Sequence, residues 1–182
     1  VLLFTQTFGT IYNYCLTITT NTIGVTLIYF AIIFLVYDML MLPFQIYDTF
    51  VIEERFGFNK TTPKTFIADK IKSLILLAVL GGGLISLIVW LYTLLGTNFW
   101  WAAFVVSITI SLIMNLFYSQ IIVPLFNKQT PLPEGELRDE IEKFGKKAGF
   151  GITNIYVIDG SKRSTKANAY FSGMGKKKRI VL

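Results

Sequence analysis

Between Lys72 and Lys128 the chain runs for 55 residues without a formal charge. That is far more than a soluble core helix needs and close to two bilayer crossings with a turn between them. The first limb, 74–95, would reach about 33 Å at about 1.5 Å per residue, the thickness of the hydrocarbon layer. "LGTNFWW" then supplies Gly96 and Asn98 as turn residues, and Trp100 and Trp101 where indoles favour the headgroup layer. The second limb covers 102–123 and ends at Pro124. A further apolar span, 22–46, is interrupted only by Asp38 and carries Pro43 near its end. Residues 1–16 read as the end of an earlier helix whose beginning is missing, with no signal-peptide pattern.

Composition agrees with a membrane chain: 53% of residues are hydrophobic and 15% charged. The charges are unevenly placed. Up to Val123 there are five basic and five acidic residues, and from Pro124 onward twelve and six, so the net charge of +6 belongs to the last third. The loop 48–72 and the tail from Lys128 hold every Lys and Arg, while the loops at 17–21 and 95–101 hold none. The positive-inside rule therefore places both basic segments on the cytosolic side. There is no histidine, and Cys15 is the only cysteine. Neither an internal disulfide nor a cysteine-based zinc cluster can form, and zinc catalysis, triads and neutral-pH proton shuttles lose their usual imidazole.

Several features within the spans admit two readings. Asp38 is either a functional ionisable group or one that snorkels; two turns from the boundary, snorkelling costs less. Gly81–Gly83 would weaken an isolated helix by about 1 kcal/mol per residue, which implies a close helix approach or a kink. Ser107, Ser111, Asn115 and Ser119 recur at a spacing of four and share one helix face. They serve either as small packing residues or as the lining of a wet chamber.

After Pro124, "PLFNKQTPLPEG" is too rich in proline for a continuous helix. "EGELRDEIEKFGKKAG" is an amphipathic helix with Leu137, Ile141, Phe144 and Ala148 on its apolar face, ended by Gly149 and Gly151. "ITNIYVID" reads as a buried strand, and "NAYFS" with "RIVL" as a hairpin around the turn "GMGKKK". The basic run Lys176–Arg179 is a solvated loop or a contact for anionic lipid in preference to nucleic acid.

Three stretches, "FVIEERFGFNKTTPKTF", "PLFNKQTPLPEGELRDEIE" and "IYVIDGSKRSTKANAYFSGMGKKKRIVL", lie in order over 48–182. They resemble signature stretches of the type I CAAX prenyl endopeptidases, integral-membrane zinc proteases. The resemblance implies a mostly α membrane protein whose transmembrane helical bundle is part of a seven-helix barrel around a large water-filled chamber. It is followed by the start of an α+β zincin-type cytosolic domain, an amphipathic helix plus a β-hairpin, truncated in this chain. It also implies zinc bound by an HExxH helix downstream of Leu182, so that the chain has no metal ligands and is inactive alone. The segment resembling the family's "NAYF" is then an edge strand that pairs with an extended peptide, its substrate-binding residues being Asn168, Ala169, Tyr170 and Phe171. The Asn168 side chain would hold the strand or the cleft loop.

The partners implied are a peptide or protein substrate, with or without a C-terminal prenyl group, and membrane lipid, with no nucleic acid. Eukaryotic members commonly read "RSSHSNAYF", with histidine where this chain has Lys166. That departure points to a bacterial inner membrane, with the endoplasmic reticulum as the site if the source is eukaryotic, and it weakens the transfer of the prenylated substrate. Two rivals stand beside the protease: a non-catalytic membrane scaffold of the same fold, and a transporter, which would explain the polar stripe but not the hairpin.

Overall fold

The computed structural model describes residues 6–149, 154–166, 168–172 and 178–182. The chain divides into two compact units, one formed by Val1–Ile52 and Lys70–Ser107, the other by Glu53–Asp69 and Ile108–Leu182.

The first unit is helical, and some of the helices that follow lie partly or wholly in the second. Helix α1 spans Thr7–Ile18 and α2 spans Thr22–Tyr47. Asn21 starts α2 by accepting the Gly24 amide on its side-chain oxygen at 2.9 Å, satisfying one of the orphan N–H groups of the first turn. Pro43 lies inside α2, which runs on through a π-helical turn, Asp48–Ile52. Helix α3 is the short turn Glu53–Arg55, and α4 runs over Pro63–Leu76. A second π-turn, Leu77–Gly81, leads into α5, Gly82–Leu95. A β-carbon on Gly82 would sit 3.7 Å from the Leu27 side chain of α2, an ordinary van der Waals contact. Gly81 closes the π-turn, where a β-carbon would press on Leu77 at 3.3 Å.

Gly96, at φ +57°, ends α5 in a conformation that disfavours a side chain, and Tyr92 packs edge-to-face on Phe99 across the turn. Helix α6 then spans Phe99–Phe126. It continues two residues past Pro124, because a proline removes one amide but leaves the next bond, Asn127 N–H to the Val123 carbonyl, intact at 2.9 Å.

Asp38 does not snorkel alone. Its carboxylate lies 2.6 Å from the Lys70 ammonium, which also donates to Gln45 Oε1 at 2.8 Å, and both charged side chains are mostly covered. Asp38→Ala leaves that ammonium with one neutral partner. The variant is expected to lose about 2 kcal/mol, read as a lower midpoint of thermal unfolding in detergent, with Asp38→Glu close to the parent.

Two helical stretches, Thr22–Arg55 and Pro63–Phe126, are long and apolar enough to cross a membrane. Large apolar side chains along them, among them Met39, Phe44, Val79, Leu94, Trp100 and Phe104, stay exposed within the chain, the pattern that lipid covers. The stretch expected as a loop from 48 to 72 is mostly helical. Thr62 caps α4 through its hydroxyl, which accepts the Thr65 amide at 3.2 Å, and Pro63 follows in the first helical position, where its missing N–H costs nothing.

In the second unit a four-stranded sheet forms in the order β1-β2-β4-β3. The strands are β1 (Gln129–Pro131), β2 (Asn154–Ile158), β3 (Tyr170–Ser172) and β4 (Arg179–Val181). Strand β4 is parallel to β2 and antiparallel to β3, with Phe171 opposite Ile180. β1, absent from the sequence expectation, pairs antiparallel with β2. Alternation sends Ile155, Val157, Ile180 and Leu182 into a core with Leu132, on which Ile141 of α7 (Glu136–Lys147) also packs. Tyr156, Tyr170, Ser172, Arg179 and Val181 take the opposite face.

Of the apolar stripe expected on α7, Ile141 is packed, while Leu137 and Phe144 are 59% and 72% exposed. A sheet this narrow covers only one residue of that stripe. Gly149, at φ +74°, terminates the helix; Gly151 and the expected turn at 173–177 lie outside the described residues.

Candidate functional site

β3 occupies one edge of the sheet, with β4 as its neighbour among the described strands. Asn168 and Ala169 precede the strand proper. The Ala169 amide donates to the Asn168 side-chain oxygen at 2.9 Å, which closes a local loop and leads the chain into β3.

The polar stripe of α6 and this strand meet. Ser111, Met114, Asn115 and Tyr118 of the helix face Tyr170, Phe171 and Ser172 across an open cavity of ≈ 450 Å³. Ser119, one turn beyond Asn115, is fully buried. Its hydroxyl and that of Tyr170 are both shielded from solvent, and among the described residues neither has a hydrogen-bond partner of good geometry. Burial pushes the Tyr170 phenol above its ordinary value, against the opposing influence of the Ser119 hydroxyl and the Arg179 charge. Arg179 lies 4.7 Å from the centre of the Tyr156 ring in a cation–π contact. The cavity thus takes in Ser111, Asn115, Tyr170 and Phe171, with Ser119 behind Tyr170. Ser107, partly buried, lies further back on α6 and is not among the lining residues, nor are Asn168 and Ala169.

Sequence reasoning missed what surrounds the approach to β3. The Arg163 guanidinium binds Asp69 through both its oxygens, at 2.6 and 2.7 Å, and donates to Asn127 Oδ1 at 2.6 Å. Hydrogen bonding to Asp69 raises the guanidinium's already high pKa further. Lys166, the position where the resemblance departs from eukaryotic members, pairs with Glu53 at 2.5 Å and lies 5.0 Å from the centre of the Phe58 ring. Asp159 is held below the usual carboxylate range, chiefly by the Ser161 hydroxyl and amide.

A zinc ion finds no home here. The chain has no histidine, and the described residues include no group of three Cys, Asp or Glu that could hold a metal. No catalytic step is therefore assigned to these residues through a metal.

Apolar helices of membrane length leading into a small mixed sheet define a multi-pass membrane protein carrying an α+β domain. Residues 1–128 match the family model "CAAX prenyl protease N-terminal, five membrane helices", and residues 131–182 match "Peptidase family M48". Among curated proteins, the human CAAX prenyl protease 1 homolog is 43% identical over 78% of this chain, and the CAAX prenyl protease 1 of Saccharomyces cerevisiae is 39% identical over 89%. The crystal structure of S. mikatae Ste24p superposes with a TM-score of 0.89 at 37% identity, covering all of this chain and 44% of that one. The chain belongs to the CAAX prenyl protease family of membrane metallopeptidases. It spans about a third of the length of these curated relatives, 30% of the human protein and 36% of the yeast one.

Proposed function

We propose that the full-length protein is a zinc metalloendopeptidase of the membrane and that this chain supplies its substrate-aligning edge. The observation that carries the reading is the meeting of α6 and β3: the outermost strand of the described sheet borders a cavity large enough for peptide side chains. An extended peptide adds to β3 by main-chain hydrogen bonds, which demand no particular sequence. Side chains on the Tyr170 and Ser172 side of the peptide then point toward Ser111, Asn115 and Tyr118. Asn168 sets the entry of the strand, and Ala169 to Phe171 present the main chain.

Zinc is held by residues outside this chain, where it supplies a Lewis acid and an activated water. The substrate is a peptide or protein, with or without a C-terminal prenyl group, reached from the bilayer. The basic segments at 48–72 and beyond Lys128 support a cytosolic side for the sheet, in a bacterial inner membrane or, in a eukaryote, the endoplasmic reticulum. Purified full-length protein is expected to cleave an unstructured peptide. Activity disappears with a zinc chelator and returns with added zinc. Failure to cleave any member of a broad peptide library, prenylated or not, identifies a non-catalytic scaffold instead.

A further inference from the structure

We propose that Arg163 is a positioning residue that fixes the edge strand β3 against the middle of α4 and the end of α6, so that a peptide paired along it stays in register. The inference rests on the alignment reading above. β3 has three residues and follows β2 after a long connection, described over 159–166 and 168–169, and a ladder of three pairs is marginal by itself. The connection is held by contacts from three distant segments, and Arg163 makes most of them.

Its planar fork grips Asp69 of α4 bidentately while Nη1 reaches Asn127, the first residue after α6. Its carbonyl accepts from the Lys60 amide at 3.0 Å and from the Thr61 hydroxyl at 3.1 Å. Two residues on, the Thr165 amide donates to the Phe58 carbonyl at 3.0 Å and its hydroxyl to Gly57 at 3.1 Å. Lys166 closes the clasp on Glu53. The guanidinium and the Asp69 carboxylate are about three-quarters covered, so the pair is sheltered from full solvent screening. Arg163 is not among the residues described as lining the cavity, and its hydrogen bonds to distant segments go to Asp69, Asn127, Lys60 and Thr61; it acts through the strand it anchors. A displacement of about 1 Å in a bound peptide costs roughly 100-fold in turnover, so a loosened strand is felt at the reacting bond.

The experiment uses the full-length protein and a cleavable peptide, unmodified or N-methylated at single amides along the segment that pairs with β3. Rates are taken per folded, zinc-loaded molecule. Wild type is expected to lose activity sharply when a pairing amide is methylated. Arg163→Met is expected to lower kcat/KM for the unmodified peptide roughly 10- to 100-fold, with methylation then adding little, since the two changes remove the same alignment. Arg163→Lys keeps the charge but not the fork and recovers only part of the rate. Asn127→Ala, which removes a single partner of the guanidinium, is expected to cost several-fold and serves if the methionine variant does not accumulate. A purely structural role lowers yield and melting temperature but leaves the methylation penalty as large as in wild type; that result overturns the proposal. Wild type indifferent to methylation at every amide overturns the alignment reading itself.

Discussion

Asn115→Trp in the full-length protein should abolish most peptide cleavage while leaving the fold in place. Asn115 is exposed on α6 and faces the cavity beside β3, so an indole meets no core contact but fills much of the ≈ 450 Å³ that a substrate side chain would enter. A surface change of this kind shifts stability by about 0.5 kcal/mol or less, whereas obstruction of the approach to the strand lowers kcat/KM about 100-fold. Asn115→Ala, which enlarges the space, is expected to stay within a few-fold of wild type. Steady-state kinetics with a short peptide and circular dichroism separate the two effects. Unchanged kinetics in the tryptophan variant would remove the cavity from the substrate path.

The second large effect concerns the sheet itself. Ile155 is 1% exposed and sits between Leu132, Ile141, Val157 and Ile180, while its carbonyl accepts the Leu132 amide at 2.9 Å. Ile155→Ala is expected to cost about 3 kcal/mol, the sum of lost apolar transfer and the cavity left behind. Limited proteolysis of the full-length protein should then cut within 128–182 much faster than in wild type, while the helices of the first unit remain protected. Ile155→Val, which removes one methyl group, should cost about 1 kcal/mol. Equal cleavage of all three would mean that this core does not hold the sheet.

The legibility of the fold followed the range of the interactions. Helix α2 was plain from hydropathy because every feature that makes it is local: an apolar run, Asn21 as cap, a proline near the end. The hairpin of β3 and β4 was equally local. The capping threonine and first-turn proline at Thr62 and Pro63 were present in the letters too, but the surrounding charges made 48–72 look like a loop. β1 was not readable. A Gln-Thr-Pro segment becomes a strand only because β2, some 25 residues away, offers it a ladder.

The site divides in the same way. The spacing of Ser111, Asn115 and Ser119 is a helix property and was visible. That this face meets Tyr170 and Ser172 is tertiary, and so is the pairing of Arg163 with Asp69, 94 positions apart in the chain. Asp38 and Lys70 stand 32 apart, and nothing in the letters links them.

The strand order has a consequence for biosynthesis. β3 leaves the ribosome before β4, yet among the described strands it joins the sheet through β4, which itself must first dock alongside β2. Until Val181 has cleared the exit tunnel, the ribbon around Tyr170 has hydrogen-bonding groups on both sides and no sheet to join. Translation speed across 170–182 therefore sets how long a nascent chain offers that ribbon to other extended polypeptides, its neighbours on the polysome included.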